Sequence, residues 1–190
     1  ISLIKKAKKK RNKVIVSIFV NPKQFQNNKD YKSYPRSLNK DLNILKRQKV
    51  DFVFLPSVKD IYSYKTKNKI YLDKFSKNLC GKHRPGHFKG VIDVVNRLVE
   101  IIEPKKIYLG KKDYQQLILI KKHFVKNNIK IKIIECNTQR DSFGLAESSR
   151  NKSLNDNQLS IARQVSKILK KNKMIIKHNF RNYSLNNLKN

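Results

Sequence analysis

Apolar and polar positions along the chain alternate between two periods, one typical of buried strands and one typical of helices. Continuous apolar, β-branched runs predict four strands, at 14–20, 50–55, 106–109 and 129–135. Apolar residues at helical spacing predict helices at 1–10, 37–48, 90–102, 113–126 and 156–171, with a short helical turn after Ser57. Residues 69–72 are ambiguous and are compatible with a short strand. Strands that alternate with helices predict βαβ units and a parallel sheet.

The first predicted strand, Val14–Val20, ends at Asn21-Pro22 and is followed by Gln24. In an open α/β sheet, ligands bind in the crevice outside the carboxyl ends of the strands. Gln24 is therefore a candidate binding residue. Because crossovers between parallel strands are right-handed, the strand-to-helix loops are expected on one edge of the sheet. These loops read NPKQF, HRPGHF, LGKKDYQQ and CNTQRDSFGLAESSRN.

The segment LGKKDYQQ combines a strand end, a glycine turn and a predicted helix start. Amides at a helix N-terminus favour a phosphate or a carboxylate, and Lys111 and Lys112 add positive charge beside them. Asp113 and Gln116 are three residues apart and share a side of the helix. The spacing alone slightly favours a simpler interpretation, with Asp113 as an N-cap and Gln116 on the surface. The segment lacks the GxxxxGK[ST] spacing of a phosphate-binding P-loop.

Two further loops carry candidate anion ligands. Ser148, Ser149 and Arg150 could bind phosphate oxygens, although Ser-Ser-Arg-Asn is also a common polar turn, and taken alone the turn is favoured. Arg84 and His87 could face an anionic substrate, and a rigid Pro-Gly turn with surface side chains explains them equally well.

The net charge of +32, from 45 basic and 13 acidic residues, suggests a polyanionic partner such as RNA. Lysine strongly outnumbers arginine, and the lysines are spread through every predicted helix and loop, apart from the run at 5–13. Dedicated nucleic-acid binders more often use arginine for base edges and phosphates. The pattern therefore favours compositional drift over nucleic-acid binding.

Cysteine spacing, apolar runs and the chain start add three expectations. Cys80 and Cys136 show no metal-binding spacing and are expected as reduced thiols of a cytoplasmic protein. No signal peptide is visible, and no apolar run approaches the roughly 20 residues of a membrane span. The chain begins at Ile1 and its one methionine is Met174, which suggests a fragment whose start lies upstream.

The order of several motifs is more specific than any one of them. The segments are SIFVNPKQF, YPRSLNKDL, VDFVFLPSVKDIY, HRPGHFKGVIDVV, YLGKKDYQQLILI and GLAESSRNKSL. From Ile1 to about Ala162 this series resembles the pantoate–β-alanine ligase family. The resemblance implies an α/β fold, a Rossmann-like parallel sheet of the HIGH-motif nucleotidyltransferase type. It also implies a nucleotide- and pantoate-binding domain at 1–138, and at 139–190 the start of a C-terminal lid domain.

The resemblance implies a two-step reaction. ATP activates pantoate to a pantoyl-adenylate with release of pyrophosphate, and the amine of β-alanine then displaces AMP to give pantothenate. Mg²⁺ accompanies the ATP, no metal ligand from the protein is identified, and the family is typically a cytosolic homodimer. Because adenylation depends mostly on positioning and on neutralising phosphate charge, no nucleophilic side chain is required.

The family's binding residues map onto positions of this chain. Gln24 and Gln116 would hold pantoate and lie near β-alanine. The positions that would contact ATP are Gly110, Lys111, Lys112, Asp113, Gln139, Glu147, Ser148, Ser149 and Arg150. Lys111 replaces the usual glutamate and Glu147 replaces a usually apolar residue, so their side-chain roles depart from the family pattern. The remaining residues that would line the pocket are Asn21, Pro22, Arg84 and His87.

The resemblance also implies missing parts. The family's HIGH-type motif would precede ISLIKKA, so its two catalytic histidines would lie upstream of Ile1. The strand that feeds this motif, central in the sheet, and most of the lid would be absent. The 190-residue chain is therefore expected to be neither fully folded nor active. Two alternatives stay open: a basic RNA-binding α/β protein, and another adenylyl- or cytidylyltransferase of the same superfamily. Gln24 and Gln116 favour pantoate over the latter.

Overall fold

The computed structural model describes residues 1–9 and 12–178, with side chains as far as residue 176. Four strands are present, β1 Ile15–Ser17, β2 Phe52–Phe54, β3 Lys106–Gly110 and β4 Lys132–Cys136. The described helices are α1 Ser2–Lys8, α2 Asn28–Ser33, α3 Leu38–Arg47, α4 Val58–Tyr62, α5 Cys80–His83, α6 His87–Ile102, α7 Tyr114–Lys126 and α8 Asp156–His178. Short 3-10 turns occupy Pro22–Gln24, Lys74–Lys77, Lys111–Asp113 and Ser149–Ser153.

The strands form two parallel pairs. Strand β1 pairs with β2 in a register that sets Ile15 opposite Phe52. Strand β3 pairs with β4 in a register that sets Lys106 opposite Lys132. Strands alternate with helices along the chain, as the apolar pattern predicts. The architecture is therefore α/β with parallel strands, which confirms the predicted fold class.

Several elements differ from the prediction in their bounds. Strand β1 ends at Ser17 rather than at residue 20, opposite Phe54, where its partner β2 also ends. Helix α2 lies in a segment predicted as loop, where the side chain of Asn27 caps it by accepting from the amide of Asp30. Residues 69–72 form no strand. Helix α8 continues past residue 171 to His178, and the polar tail predicted beyond it falls, from residue 179, outside the described residues.

The main core lies between α6, α7 and the second strand pair. Its fully buried members come from the inward faces of the two helices and are Phe88, Ile92, Val99, Leu119, Ile120 and Phe124. Partly buried residues of β3 and β4, among them Ile107, Leu109 and Ile133, pack against them. Because α6 is apolar along the predicted face, it anchors the sheet and carries its own N-terminus to the carboxyl ends of the strands.

Two compact units divide the chain, Ile1–Asn137 and Thr138–Asn190. The first contains all four strands and α1 to α7. The second, within its described part, contains the turn after Thr138, a 3-10 turn and α8. None of the helices in the described ranges is both long and apolar enough to cross a membrane.

Candidate functional site

Gln24 ends a 3-10 turn that follows β1. Pro22 occupies its first position, where its fixed φ is favourable and its missing N–H costs nothing. The carboxamide oxygen of Asn21 caps the turn by accepting from the amide of Lys23 at 3.1 Å. The sequence Asn-Pro-Lys-Gln therefore turns the chain sharply at the end of β1.

Asn21 is 1% exposed, and both the nitrogen and the oxygen of its carboxamide form hydrogen bonds. Its Nδ2 donates to the carbonyl of Gly90 at 3.0 Å, and its Oδ1 accepts from the Tyr62 hydroxyl at 2.7 Å. Burial, with the nearby Asp93 carboxylate, raises the pKa of Tyr62 to about 12, so this hydroxyl keeps its proton and donates at neutral pH. Asn21, predicted to line the pocket, holds the turn against α4 and α6.

His87 and Gly90, in the first turn of α6, hold the other side of the Gln24 turn. Nδ1 of His87 lies 2.8 Å from the backbone oxygen of Gln24, and because a carbonyl only accepts, Nδ1 carries the proton. Gly90 packs directly on the backbone of the turn. A Cβ on Gly90 would lie 2.2 Å from the carbonyl oxygen of Lys23. The backbone of Gln24 is thus fixed by contacts with α6.

The side chain of Gln24 contrasts with this fixed backbone. It is half-buried, and its carboxamide makes no hydrogen bond to another described residue. A rigid backbone that carries an uncommitted amide is suited to bind a polar ligand, since the amide offers two donors and an acceptor.

The segment from Gly110 to Gln116 lies at the carboxyl end of β3. The 3-10 turn Lys111–Asp113 leads into α7, and Asp113 stands at the N-cap without forming a side-chain cap bond. Lys111 lies 3.5 Å from the Glu135 carboxylate at the end of β4. The hydrogen bond from Lys121, and the charge of Lys111, hold the pKa of Glu135 below its usual value. Lys111, which replaces the family's glutamate, therefore has an acidic partner in this chain.

Two adjacent glutamines in the first turn of α7 have different surroundings. Gln115 is buried, its Oε1 accepts from the amide of Cys80 at 3.1 Å, and its Nε2 donates to the carbonyls of Phe75 and Asn78. Gln116 is half-buried and its carboxamide bonds to no described residue. The helix therefore uses one side-chain amide to hold the 75–80 segment, while the next makes no hydrogen bond to a described residue.

Arg84 and the Pro85-Gly86 turn connect α5 to α6. Arg84 ends α5 and donates its backbone N–H to the carbonyl of Gly81. Gly86 has φ 79°, a left-handed conformation that favours glycine, and α6 begins at the next residue. Arg84 is half-buried and His87 is buried, so of the two predicted pocket residues in this loop Arg84 is the more accessible.

In the second unit, the segment 139–147 forms a closed turn. The amide of Glu147 donates to the carbonyl of Gln139 at 3.0 Å, and Asp141 accepts from the amides of Phe143 and Leu145. The Asp141 carboxylate also pairs with Arg163 of α8 at 3.1 Å. The predicted nucleotide residue Gln139 thus contributes its backbone oxygen to the turn.

The predicted phosphate-binding residues follow this turn at the start of a 3-10 turn. The hydroxyl of Ser148 caps that turn by accepting from the amide of Arg150 at 3.3 Å. Ser149 and Arg150 are exposed, as is Glu147. The amides of Arg150 and Asn151 are both bonded to Ser148, the first to its hydroxyl and the second to its carbonyl.

A protein-bound metal centre has no evident ligands. Within residues 1–9 and 12–178, no group of three or more histidine, cysteine or carboxylate side chains lies together. Cys80 and Cys136 are free thiols.

Sequence reasoning missed three residues that shape the site, Tyr62, Gly90 and Gln115. Gly90 had a readable signal, because a glycine on the inward face of an amphipathic helix often marks a close approach of another backbone. Tyr62 and Gln115 had none, since their partners are between 35 and 41 residues away in sequence.

Comparisons with known proteins match this arrangement. The family profile described as "Pantoate-beta-alanine ligase" matches residues 1–189. A pantothenate synthetase of Francisella philomiragia is 47% identical over 176 residues, which cover 92% of this chain and 67% of that protein. One of Clostridium botulinum is 44% identical over 188 residues, which cover 99% of this chain and 66% of that protein. Across these and a Pseudothermotoga lettingae relative, the chain spans 60% to 67% of the relatives' length.

Solved structures give the same result. A pantoate-beta-alanine ligase from Francisella tularensis, described as complexed with "Beta-gamma ATP and Beta-alanine", has a TM-score of 0.82 and 48% identity, with 89% of this chain and 65% of that chain covered. A pantothenate synthetase from Thermus thermophilus has a TM-score of 0.82 and 34% identity, with 88% and 61% covered. The chain therefore belongs to the pantoate–β-alanine ligase family and has its Rossmann-like, nucleotidyltransferase-type fold.

Proposed function

We propose that this protein takes part in the ATP-dependent condensation of pantoate with β-alanine to pantothenate. Pantoate would first attack ATP to form pantoyl-adenylate and pyrophosphate, and the β-alanine amine would then displace AMP. The observation that carries the proposal is the 48% identity to a protein whose structure is described with an ATP analogue and β-alanine. The chain covers 65% of the length of that protein.

We assign pantoate and β-alanine to the two uncommitted glutamine amides. Gln24 and Gln116 follow β1 and β3 respectively, and neither carboxamide bonds to a described residue. An amide can donate to a carboxylate and accept from a hydroxyl, and pantoate carries both groups. Arg84, beside the fixed Gln24 turn, adds a positive charge for the carboxylates.

We assign ATP binding to residues of two segments. The first segment is Gly110, Lys111, Lys112 and Asp113, where backbone amides and lysine charge precede α7. The second segment is Gln139, Ser148, Ser149 and Arg150, with Glu147 contributing its backbone at most. The basic side chains of these segments would offset the phosphate charge, and the pairing of Lys111 with Glu135 lowers the contribution of Lys111.

The reaction requires these residues to position the substrates and to neutralise the charge of the phosphates. The pantoate carboxylate must approach the α-phosphate in line with the departing pyrophosphate, and a fixed backbone at Gln24 lowers the entropic cost of that alignment. Lysine, arginine and amide donors stabilise the negative charge that builds up on the phosphate oxygens. We propose that Mg²⁺ enters with ATP and is held largely by the phosphates, given the protein's lack of a described ligand cluster.

We further propose that the protein is a cytoplasmic homodimer. The support is the family resemblance together with two free cysteines, which are typical of a reducing compartment. Analytical ultracentrifugation tests the dimer, and a monomer at micromolar concentration would contradict it.

An AMP-release assay tests the reaction. In a chimera, residues of this chain replace the aligned segment of the Francisella tularensis ligase, so that the rest of the relative is present. We expect AMP only when ATP, pantoate and β-alanine are all supplied. AMP release without β-alanine, or with other acids in place of pantoate, would contradict the proposal.

A matched pair of chimeras tests the binding residues. We expect Gln24→Ala to lower kcat/KM for pantoate by about 100-fold, equivalent to about 2.7 kcal/mol of transition-state stabilisation. Gln26→Ala, two residues on and exposed, serves as the control and should keep activity within about twofold. Equal effects at both positions would remove Gln24 from the site.

A further inference from the structure

A cluster of charged and aromatic side chains joins the Gln24 turn to two helices. It consists of Lys23 in the turn, Tyr62 at the end of α4, and Asp93 and Arg97 on α6. We call it the Asp93 cluster. None of its members is among the residues assigned above to pantoate or ATP, so they would influence the reaction through the residues that they hold.

Asp93 is the shared counter-ion of the cluster. Its Oδ1 accepts from Nε of Arg97 at 2.7 Å, and its Oδ2 lies 3.4 Å from Nζ of Lys23. Among the described residues, neither cation forms an ion pair with another carboxylate. The side chains of Arg97 and Asp93 are only 11% and 15% exposed, so water screens their attraction weakly. Loss of the Asp93 charge would leave Arg97 poorly solvated and without its counter-charge.

Arg97 holds the C-terminal end of α4. Its Nη1 donates to the carbonyl of Ile61 at 3.0 Å and to that of Tyr64 at 2.8 Å. The last carbonyls of a helix lack partners within the helix, and a cation at this end is favoured by the helix dipole. The guanidinium carbon also lies 4.9 Å from the centre of the Tyr62 ring, in a cation–π contact. Arg97 therefore fixes both the ring of Tyr62 and the backbone on either side of it.

Tyr62 connects the end of α4 to the Gln24 turn. Its hydroxyl donates at 2.7 Å to Oδ1 of Asn21, the residue that caps the turn. Nζ of Lys23, which follows in the turn, lies 3.8 Å from the centre of the Tyr62 ring. The ring thus contacts one cation from the turn and one from α6, and the two cations share the carboxylate of Asp93.

The cluster adds a second point of attachment for the turn. The contacts of Asn21, His87 and Gly90 attach it to the first turn of α6. Asp93 lies one helical turn further along α6, and through the cluster it attaches the same segment to α4 as well. One attachment point allows a turn to pivot, whereas two resist it. A side chain that aligns a substrate must be held within about 0.5 Å of its productive position, so this second attachment bears on the use of Gln24.

We propose that Asp93 is a positioning residue for the reaction, whose carboxylate, acting through Lys23 and through Arg97 and Tyr62, orients the turn that presents Gln24 to pantoate. The inference rests on the proposed function, since it takes Gln24 as a pantoate ligand. Removal of one carboxylate should, by charge alone, tighten the binding of an anionic substrate. Less efficient use of pantoate in a variant without this carboxylate is therefore evidence of lost alignment.

Steady-state kinetics of the chimera with the Francisella tularensis ligase test the inference. We expect Asp93→Asn to lower kcat/KM for pantoate by about tenfold and to leave the KM for ATP within about twofold. Asp93→Glu keeps the carboxylate and should restore kcat/KM to within about threefold of the unchanged chimera. Glu103→Gln is the matched control, because it removes a carboxylate from the exposed end of the same helix, and it should change neither constant by more than about twofold.

The split between the two substrates separates positioning from general stability. A loss of stability in Asp93→Asn would impair the use of pantoate and ATP alike, so parallel losses for both substrates overturn the inference. An unchanged or raised kcat/KM for pantoate in Asp93→Asn overturns it too. So does a loss in Asp93→Glu as large as that in Asp93→Asn, because the carboxylate would then not be the group that acts.

Hydrogen exchange on the same chimera reports on the turn without requiring activity. The amides of residues 23 to 25 donate hydrogen bonds within the turn. In Asp93→Asn they should exchange at least about threefold faster, whereas the amide of Ile120, on the buried face of α7, should keep its rate. An unchanged chimera that releases no AMP contradicts the proposed function. Unaltered exchange at residues 23 to 25 in Asp93→Asn contradicts the positioning role, whether or not the chimera is active.

Discussion

The turn at Asn21–Gln24 and the turn at Gly110–Asp113 both follow a parallel strand, yet they are held in different ways. The first is fixed by buried hydrogen bonds from Asn21, Tyr62 and His87 and by the close approach of Gly90. The side chains of the second are exposed, and Lys111 forms an ion pair with Glu135 at 3.5 Å.

In the proposed site, the first turn supplies a fixed backbone geometry and the second supplies positive charge. A buried polar group that loses its partner costs about 1–3 kcal/mol, whereas an exposed ion pair contributes about 0–1 kcal/mol. The Gln24 turn should therefore be intolerant of substitution and the lysine turn tolerant. This also explains why the reversal of charge at residue 111 is compatible with the fold.

The largest effect is expected at the glycine of α6 that packs against the first turn. Gly90→Ala would place a Cβ 2.2 Å from the Lys23 carbonyl oxygen and 2.5 Å from its carbon, both backbone atoms that cannot move aside cheaply. We expect about 3 kcal/mol of lost stability in urea unfolding. Gly110→Ala is the matched control, because its nearest atom lies 4.0 Å away and its φ of −78° is ordinary. A loss there above about 1 kcal/mol would contradict the comparison.

The adjacent glutamines of α7 give the next largest effect. Gln115→Ala leaves the amide of Cys80 and two carbonyls without their partner, so we expect about 2 kcal/mol of lost stability by denaturant unfolding. Gln116→Ala should leave stability within about 0.5 kcal/mol and weaken pantoate binding in calorimetry. The opposite assignment, with stability lost at Gln116, would show that the two roles are exchanged.

A buried histidine should make the stability of the protein depend on pH. His123 accepts from the amide of Tyr71 through Nδ1, and burial lowers its pKa below the ordinary 6.5, against a smaller opposing effect of Glu100. The unfolded chain therefore takes up a proton as pH falls through 6.5, whereas the native chain stays neutral until its lower pKa is reached. Native stability should thus decline as pH drops below 6.5.

Denaturant unfolding between pH 7.5 and 5 measures this decline. The carboxylates with lowered pKa values, such as Glu135 and Asp51, release their contribution only at more acidic pH, below their ordinary values of 4.5 and 3.8. His123→Gln should flatten the profile in the upper window. An unchanged slope in this variant would assign the decline to another group.

The smallest effect is expected in the lysine turn. Lys111 is 43% exposed, so Lys111→Ala should change stability by no more than about 0.5 kcal/mol, less still at high salt. Because Glu135 offsets the charge of Lys111, Lys111→Ala should lower ATP affinity, measured by calorimetry on the chimera, by less than about tenfold. A larger loss at Lys111 would mean that it leaves Glu135 for the nucleotide.

Sequence reasoning located the elements better than their ends. The apolar runs and helical spacings predicted all four strands and most helices, because burial on one face imposes a period. The predicted strand at 14–20 was one residue too long at its start and three at its end, because the apolar run continues past the point where the partner strand β2 ends at Phe54. Helix α2 was missed because its residues are polar and its stability comes from a cap at Asn27.

Some features of the candidate site could be predicted from the sequence, and others depend on the fold. Ordered motifs in the sequence suggested Gln24, the GKKD turn and Ser148–Arg150 as candidates, because the local chemistry at a strand end depends on neighbouring residues. Which of Gln115 and Gln116 is free was decided by the 75–80 segment, which lies about 35 residues earlier and uses up the first amide.

The sequence by itself determined the alternation of strands and helices, the turn chemistry and the resemblance to a ligase family. These depend on period, propensity and short motifs. Only the tertiary structure decided that Tyr62 and Gly90 hold the Gln24 turn and that Glu135 pairs with Lys111. Each of those contacts joins residues distant along the chain, and hydrogen bonding and packing between them depend on where the whole fold brings them.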